Sequence, residues 1–333
     1  MIARELMTAS RMNTFVACPR RHFYAYELGM RRAEPGDALR IGTAIHCALE
    51  HRAKGATVED AYNAAIGTGT FADTDAAMLY GLIGGYYAAY MDGNDAIGTM
   101  YPEVEFCLPI GGSRTFMAAG KIDGLAVLKD GRTALVEHKT TGEDIGPDAP
   151  YWQRLVHNIQ LMAYVIAARA NGWDVEIIVY DVIRKPCIRV RQNETAEQFG
   201  ERLFADCRER PEFYFARREV AILDDNIREF EVMRGMLCKM ILYCKAAARK
   251  AAKPEHAWIR NCNAVTCRAC EYAPVCLQNI HVDRDNVPGG FVIGPANPEL
   301  STITAGKTPL TSTPKEKEKS KGGAKPRHNI NRQ

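Results

Sequence analysis

Residues 120–141, GKIDGLAVLKDGRTALVEHKTT, contain two strand-like segments that flank a turn, and they are the most informative part of the sequence for its fold. Apolar residues dominate both segments, and residues 129–132 contain the Asp-Gly pair that is typical of a tight hairpin turn. Side chains two apart on a strand share a face. Glu137 and Lys139 are therefore predicted to project together, and Asp123 is predicted to face them across the hairpin.

Two carboxylates and one ammonium on apolar strands are costly unless they are paired or bound to a metal. Hard cations such as Mg²⁺ or Mn²⁺ prefer carboxylate oxygens, so Asp123 and Glu137 are candidate ligands. Such an ion lowers the pKa of a bound water, which Lys139 would orient or deprotonate. The pattern indicates hydrolysis of phosphodiesters. From these residues alone, a charged hairpin with an ordinary surface Glu–Lys pair remains the alternative.

The rest of the chain fits a globular α/β protein. It has 333 residues, of which 47% are hydrophobic and 25% charged, which excludes collagen-like, coiled-coil and mostly disordered classes. Strand-like and helix-like segments alternate, which predicts a mixed central sheet flanked by helices. No apolar run is long enough for a membrane span, and the N-terminus lacks a signal-peptide pattern. These features predict a cytoplasmic protein.

Charge and composition divide the chain near its end. Residues 301–333 contain eight basic and two acidic side chains, so the formal net charge of +3 conceals a mildly acidic body and a basic tail. From Gly289 onward Gly, Pro, Ser, Thr and Lys dominate, a composition that buries too little apolar surface to fold. The predicted organisation is one domain over residues 1–288 and a disordered basic tail over residues 289–333. The tail would attract DNA without sequence preference, or serve as a solubilising or partner-docking segment.

Three motifs in one order resemble the RecB-like branch of the PD-(D/E)XK nuclease superfamily. Asp123 followed by Glu137-His138-Lys139 resembles the superfamily's active-site core. Residues 42–46, GTAIH, resemble the branch's G-x-x-x-H motif, and residues 160–164, QLMAY, resemble its Q-x-x-x-Y motif. The resemblance implies a restriction-endonuclease-like core and a metal-dependent deoxyribonuclease.

The same resemblance assigns roles to single residues. It implies that His46 is a metal ligand beside Asp123 and Glu137, and that the carbonyl of His138 is a further ligand. The His138 side chain, which lies between two same-face residues, is predicted to point away from the metal. The resemblance also implies that Gln160 and Tyr164 support the substrate and the catalytic lysine. Arg184 and Lys185, which end the next predicted strand, are candidate contacts to DNA phosphates.

The eleven cysteines need an explanation other than disulfides, because disulfides are rare in the cytosol and the count is odd. Cys267, Cys270 and Cys276 form a C-x₂-C-x₅-C cluster, which is typical of a metal centre that lacks one ligand. Cys262 would complete a local zinc site. The remaining six, apart from Cys18, are predicted to be small apolar residues.

A second resemblance concerns the N-terminus. Residues 10–24, SRMNTFVACPRRHFY, resemble the S-x-x-x-x-F/Y-x-x-C-P segment of RecB-like nucleases that hold an AddB-type iron–sulfur cluster. That arrangement implies a [4Fe–4S] cluster on Cys18, Cys267, Cys270 and Cys276, which would join the chain's N- and C-terminal helical elements into a cap. Zinc on four thiolates stays open as the alternative, and so does a cluster that uses Cys262.

These resemblances together imply a DNA exonuclease of recombination, repair or phage DNA metabolism in a bacterial or phage-infected cell. It would act on single strands or DNA ends, with a recombination or replication protein as a candidate partner. Three alternatives stay open: a CRISPR-associated adaptation nuclease, a non-catalytic DNA-binding scaffold, and a zinc-stapled interaction module. The sequence does not distinguish exonuclease from endonuclease action, and it does not give the oligomeric state.

Overall fold

A computed structural model of the chain describes residues 4–34, 36–90 and 95–300, without the side chain of residue 299. The described strands are β1 (Glu5–Met7), β2 (Met30–Arg32), β3 (Ile97–Pro109), β4 (Phe116–Leu128), β5 (Thr133–Thr141), β6 (Ile177–Arg184), β7 (Phe215–Ala221) and β8 (Phe291–Ile293). The described α-helices are α1 (Ala9–Ala17), α2 (Pro19–His22), α3 (Asp37–Ala53), α4 (Val58–Ile66), α5 (Asp73–Ala89), α6 (Ile159–Ala170), α7 (Ala196–Glu209), α8 (Pro211–Tyr214), α9 (Asp224–Ala248), α10 (Ala264–Arg268) and α11 (Ala273–Leu277). A π-helix covers Phe23–Leu28, and 3₁₀ turns cover Pro150–His157, Pro254–Ala257 and Pro298–Leu300.

Six strands form one mixed sheet, which confirms the predicted α/β class. β3, β4 and β5 form an antiparallel meander, β6 is parallel to β5, and β7 is antiparallel to β6. The short strand β1 is parallel to the beginning of β4. β2 and β8 form a separate two-stranded antiparallel sheet.

Helices cover both faces of the main sheet. One apolar core joins the sheet to α1, α6 and α9, and a second core joins it to α3, α4, α5 and α7. In the second core α5 lies directly on α7, because Gly85 has no side chain: a Cβ there would lie 2.4 Å from the Cβ of Cys207. The two helical layers leave the centre of the sheet, where β4 meets β5, buried between them.

The decisive hairpin is confirmed, whereas two predicted helices are divided. The segment predicted as one helix from Ser10 to Tyr26 breaks at Pro19 and ends as a π-helix. The segment predicted as one helix over residues 152–171 is a 3₁₀ turn followed by α6, since the Asn158 side chain accepts from two backbone N–H groups and starts a new helix. Cys187–Arg191, predicted as a strand, lies in a loop.

The predicted tail begins too early. β8 lies within the segment expected to be disordered from Gly289, and it pairs with β2 from Met30↔Ile293 to Arg32↔Phe291. Leu300 is also buried, against β3 and β4. A few apolar residues suffice there because β2 supplies backbone partners. Residues 301–333 lie outside the described residues, so the rest of the predicted tail stays a prediction.

No helix among the described residues is long and apolar enough to cross a membrane.

Candidate active site and cysteine cavity

The predicted catalytic residues lie where β4 and β5 separate. The two strands pair only from Val127↔Thr133 to Gly124↔Val136. Beyond that point β5 continues along β6, while the edge of β4 is next met by β1. The first positions after the separation are Asp123 on one strand and Glu137 on the other. We call this opening the fork. It places two carboxylates on diverging strands of a sheet that helices cover on both faces.

Asp123 contacts two neighbours, one on β5 across the fork and one on α3. Its Oδ2 accepts the backbone N–H of His138 at 2.8 Å, and its Oδ1 lies 3.5 Å from Nδ1 of His46 on α3. Burial alone would raise the pKa of Asp123, but His46, His138 and Lys139 lower it to about 2. Burial likewise opposes the charge of His46, yet its contact with Asp123 raises the pKa of this histidine. The pKa of Asp123 therefore favours the anion, and α3 places the motif histidine beside it.

Glu137 is completely buried and only partly satisfied. One oxygen accepts from Lys139, and the other, Oε2, has no hydrogen-bond partner among the described residues. Burial, and then the negative charge of Asp123, raise the pKa of Glu137 to about 7. A buried carboxylate with a free oxygen beside a second carboxylate is an arrangement that a cation would stabilise.

The Q-x-x-x-Y motif on α6 reaches the same place. Lys139 donates from Nζ to Oε1 of Gln160 at 3.1 Å, and the Gln160 amide donates to the Tyr164 hydroxyl at 3.0 Å. Burial opposes the charge on Lys139, but Glu137 and Asp123 raise its pKa. Gly120 lets α6 approach β4, since a Cβ there would lie 3.1 Å from the Tyr164 ring. The motif thus fixes the ammonium of Lys139 at the fork.

The His138 side chain lies on the opposite face of β5 from Glu137 and Lys139. Its Nδ1 lies 2.8 Å from Oδ2 of Asp181, a completely buried residue on β6. Asp181 also receives the Tyr86 hydroxyl and an ion pair from Arg217. Burial would raise the pKa of Asp181, whereas these partners lower it to about 2. Sequence analysis missed this network, because Asp181 and Arg217 lie on strands whose pairing is visible only in the fold.

A cleft of about 1050 Å³ opens from Asp123 between α3 and the sheet. Its walls carry His46 and a second charged pair that sequence analysis missed, Glu103 and Lys121, which form a salt bridge. Glu103 lies on β3 opposite Asp123 and has a φ of 58°, which is rare in a non-glycine residue. Lys121 lies two residues before Asp123 on β4. That i, i+2 spacing was the available signal for a cleft-facing cation.

The two predicted phosphate contacts at the end of β6 are not among the described residues that line this cleft. Arg184 instead donates to Asp144 at 3.1 Å and stacks over the Phe213 ring at 4.2 Å. The backbone N–H of Lys185 donates to the Thr141 carbonyl at 2.7 Å. Their role in DNA binding therefore stays a prediction.

Five cysteines from two distant segments of the chain line a second, small pocket that is partly open to solvent. They are Cys18, Cys262, Cys267, Cys270 and Cys276. Hydrogen bonds join the two segments around it. The Arg20 backbone N–H donates to the Ile259 carbonyl at 3.0 Å and its side chain donates to the Trp258 carbonyl at 3.1 Å. The Asn261 side chain donates to the Ala17 carbonyl at 2.9 Å. All eleven cysteines are free thiols. Burial raises the pKa of both Cys270 and Cys276, and neighbouring cysteines raise each pKa further.

Neither place closes around a single ion. Among residues 4–34, 36–90 and 95–300, no three His, Cys, Asp or Glu side chains are gathered in a geometry that would hold one. The donor sets nevertheless fit different groups. The fork offers hard carboxylate oxygens and an imidazole, which suit Mg²⁺ or Mn²⁺. The cavity offers soft sulfurs spread around a wall, which suit zinc or an iron–sulfur cluster.

Comparison with known proteins decides the family. The family profile of the PD-(D/E)XK nuclease superfamily matches residues 6–277. The chain belongs to that superfamily. Nucleases of the PD-(D/E)XK superfamily generally use divalent metal ions. No curated protein matches the sequence significantly.

Two solved structures resemble the chain only distantly. The crystal structure of SSO0001 is 16% identical with a TM-score of 0.35, and the match covers 83% of this chain and 87% of that one. A provisionally assigned exonuclease from Eubacterium rectale is 15% identical with a TM-score of 0.46, and the match covers 85% and 91% of the two chains. Neither likeness adds to what membership of the PD-(D/E)XK superfamily establishes.

Proposed function

We propose that this nuclease hydrolyses phosphodiester bonds of DNA as a metal-dependent exonuclease of the RecB-like branch. The observation that carries the proposal is the fork, where the buried Glu137 keeps one oxygen free next to the anionic Asp123. A divalent cation would satisfy both carboxylates. Its presence explains why the fold keeps two acids together at a cost in free energy.

Asp123, Glu137 and His46 would hold the ion, with the His138 carbonyl as a further candidate ligand. The bound ion supplies an activated water and neutralises charge on the phosphate. The chain's own residues do the positioning. Lys139, fixed by Glu137 and Gln160, donates a hydrogen bond toward the nucleophilic water. Tyr164 holds Gln160 in place, so the motif on α6 acts on the lysine rather than directly on the substrate.

Digestion of labelled DNA tests the activity and its mode. We expect the protein to release nucleotides from end-labelled linear DNA in Mg²⁺ or Mn²⁺, and to leave circular single- and double-stranded DNA intact. Asp123→Asn should abolish the release. Cleavage of circles would overturn the exonuclease assignment. Equal inactivity of the wild type and Asp123→Asn on every substrate and metal would favour a non-catalytic DNA-binding scaffold.

We infer further that the cysteine cavity holds a [4Fe–4S] cluster on Cys18, Cys267, Cys270 and Cys276. A cluster takes one thiolate at each iron, whereas zinc draws four thiolates into one coordination shell. Sulfurs that line a cavity without converging on one point favour the cluster. The cluster would join segments some 250 residues apart and act as a staple between the chain's ends.

Anaerobic purification tests the cluster. A brown protein with iron and acid-labile sulfide in near-equal amounts supports it, whereas a colourless protein with stoichiometric zinc overturns it. Cys262 is the ambiguous neighbour, since it lines the same cavity but is exposed. Cys262→Ser should keep the full iron content, and Cys267→Ser should lose it. The opposite result would move the fourth ligand to Cys262.

The cellular process stays a proposal: recombination, repair or phage DNA metabolism, with CRISPR adaptation as the second candidate. The neighbouring genes distinguish these settings, because an adjacent integrase gene favours adaptation.

A further inference from the structure

The long helix α9 has two apolar faces, of which only one is covered. Phe230, Leu237 and Ile241 pack into the core. On the other side Val232 is 66%, Met236 57%, Met240 49% and Tyr243 76% exposed. These four residues recur at helical spacing and share a face. We call them the outer stripe.

An uncovered stripe of this kind is unusual on a soluble surface and marks an interaction site. Isolated exposed apolar residues need no explanation, but four large ones along one helix make a continuous surface. None of the residues that the structure describes covers them. None of its four residues lines the cleft at the fork or the cysteine cavity, so neither site accounts for it.

The charges of α9 are divided by the stripe. The N-terminal part carries four acidic residues and one exposed basic residue: Asp224, Asp225, Glu229 and Glu231 against Arg228. From Lys239 to Lys250 the chain has only basic charged residues. One end of the helix surface is therefore negative and the other positive, with the apolar residues between them. The same surface on a second copy, turned to run antiparallel, would therefore place its positive end against the negative end of the first.

We propose that two copies of this chain associate through α9, packed antiparallel about a two-fold axis near Leu237. This register sets Val232 against Tyr243 of the second copy, and Asp225 against Lys250 of the second copy. A parallel arrangement would instead place acid on acid and base on base. A two-fold contact uses the same patch on both copies, which a surface with this self-complementary order satisfies. Gly235, beside the stripe, faces open space. Because it has no side chain, the helix of the second copy can approach closely there.

The expected dimer is weak. A helix of 25 residues is about 37 Å long, and a single helix pair buries less than the roughly 800 Å² per partner of a stable interface. We therefore expect a dissociation constant in the micromolar range. Salt should weaken the dimer, because the flanking charge pairs are exposed to solvent.

Sedimentation velocity of the full-length protein across a concentration series tests this. The wild type should shift from monomer to dimer with concentration, and Met236→Glu should weaken the association about tenfold or more, because it places a charge in the apolar centre. Val58→Glu, at an exposed apolar residue on α4, is the matched control and should dimerise like the wild type. A wild type that stays monomeric throughout, or a dimer insensitive to Met236→Glu, overturns the proposal.

Charge reversal tests the antiparallel register separately and leaves the apolar residues intact. Asp225→Lys alone and Lys250→Asp alone should each weaken the dimer about twofold to tenfold. The double variant restores opposite charges in both symmetry-related pairs and should regain wild-type affinity. A double variant as weak as the sum of the single ones would overturn the antiparallel arrangement. None of these residues belongs to the fork, so nuclease activity serves as a folding control.

Discussion

The fork and the cysteine cavity both gather reactive side chains from distant segments, but different forces hold them in place. At the fork, Asp123 and Lys139 each have protein partners, and even Glu137 has one of its two oxygens paired. Among the described residues, the cavity cysteines make only weak sulfur hydrogen bonds: Cys18 accepts the Asn261 N–H at 3.5 Å, and Cys267 lies 4.0 Å from the Asn261 carbonyl. The protein therefore organises the fork itself, whereas we expect the cavity to depend on an inorganic group for its final geometry.

The largest expected effect tests the fork side of this comparison. Lys139→Ala should lower kcat about 10²- to 10⁴-fold, the range for losing a positioned proton donor. The thermal midpoint should change little, because Glu137, with a pKa near 7, can take up a proton when its partner is lost. Steady-state kinetics on end-labelled DNA and thermal unfolding measure the two quantities on the same preparation.

Lys54→Ala is the matched control for this variant. Lys54 pairs with Glu50 on the surface of α3 and is 55% exposed, so both kcat and the midpoint should remain at wild-type values. A fall in the midpoint of Lys139→Ala as large as its fall in activity would contradict a catalytic role and make the lysine a structural residue.

The cysteine cavity should respond in the opposite way. Cys270→Ser should release the group that joins the chain's ends and cost about 5 kcal/mol of unfolding free energy, close to the chain-entropy value for a loop of such length. The fork has no part in this loss, so protein that remains folded should still cleave DNA. Denaturant unfolding under anaerobic conditions measures the change.

Cys187→Ser controls for the loss of a thiol as such. Cys187 is exposed in the loop after β6, outside the cavity, and its replacement should change neither iron content nor stability. If Cys270→Ser were as stable as Cys187→Ser, the cavity would need no inorganic staple and the contrast between the two regions would fail.

A buried neutral histidine sharpens the comparison through pH. His22 packs against Trp258 beside the cavity, and burial lowers its pKa from 6.5 to about 2. The folded state keeps this ring neutral, whereas the unfolded state binds a proton below pH 6.5. Stability from this group is therefore complete above pH 6.5 and falls as the pH drops, by about 2 kcal/mol between pH 7 and pH 5.

His22→Gln keeps an acceptor for Arg11 and cannot titrate, so it should remove this part of the acid sensitivity. Urea unfolding of both proteins at pH 7 and pH 5 gives the comparison. Equal losses in the two proteins would show that the acid sensitivity arises elsewhere.

Local patterns predicted the parts of the fold that local chemistry determines. The Asp-Gly turn and the alternation around it gave β4 and β5, and the spacing of Glu137 and Lys139 gave their common face. The motif residues His46 and Gln160 also reach the fork. Residues whose neighbours come from distant strands were missed. Asp181 is an isolated acid in an apolar strand until β5, β7 and α5 surround it.

Boundaries failed for a related reason. Pro19 and Asn158 each end a helix that the apolar pattern predicts to be continuous. Pro19 has no backbone N–H to donate, and the Asn158 side chain caps a new helix. Both act on the backbone and leave the apolar spacing unchanged. β8 was assigned to the tail because Gly and Pro flank its three apolar residues on both sides, yet β2 supplies its hydrogen bonds. Backbone pairing between distant segments leaves no periodic signal in a strand of three residues.

The smallest expected effect concerns Lys121, the cleft cation that sequence analysis overlooked. Its side chain is 38% exposed and paired with Glu103, so it is available to a DNA phosphate at the entrance to the fork. We expect Lys121→Gln to raise KM severalfold with little change in kcat, and to reduce the slope of log affinity against log salt by about one. Filter binding with inactive Asp123→Asn protein, measured over a salt series, isolates the binding term. An unchanged slope would mean that Glu103 keeps Lys121 in its ion pair when DNA is bound. Lys121 would then support the fold and not bind DNA. The cleft walls would in that case be as fully organised by protein contacts as the fork itself, in contrast to the cysteine cavity.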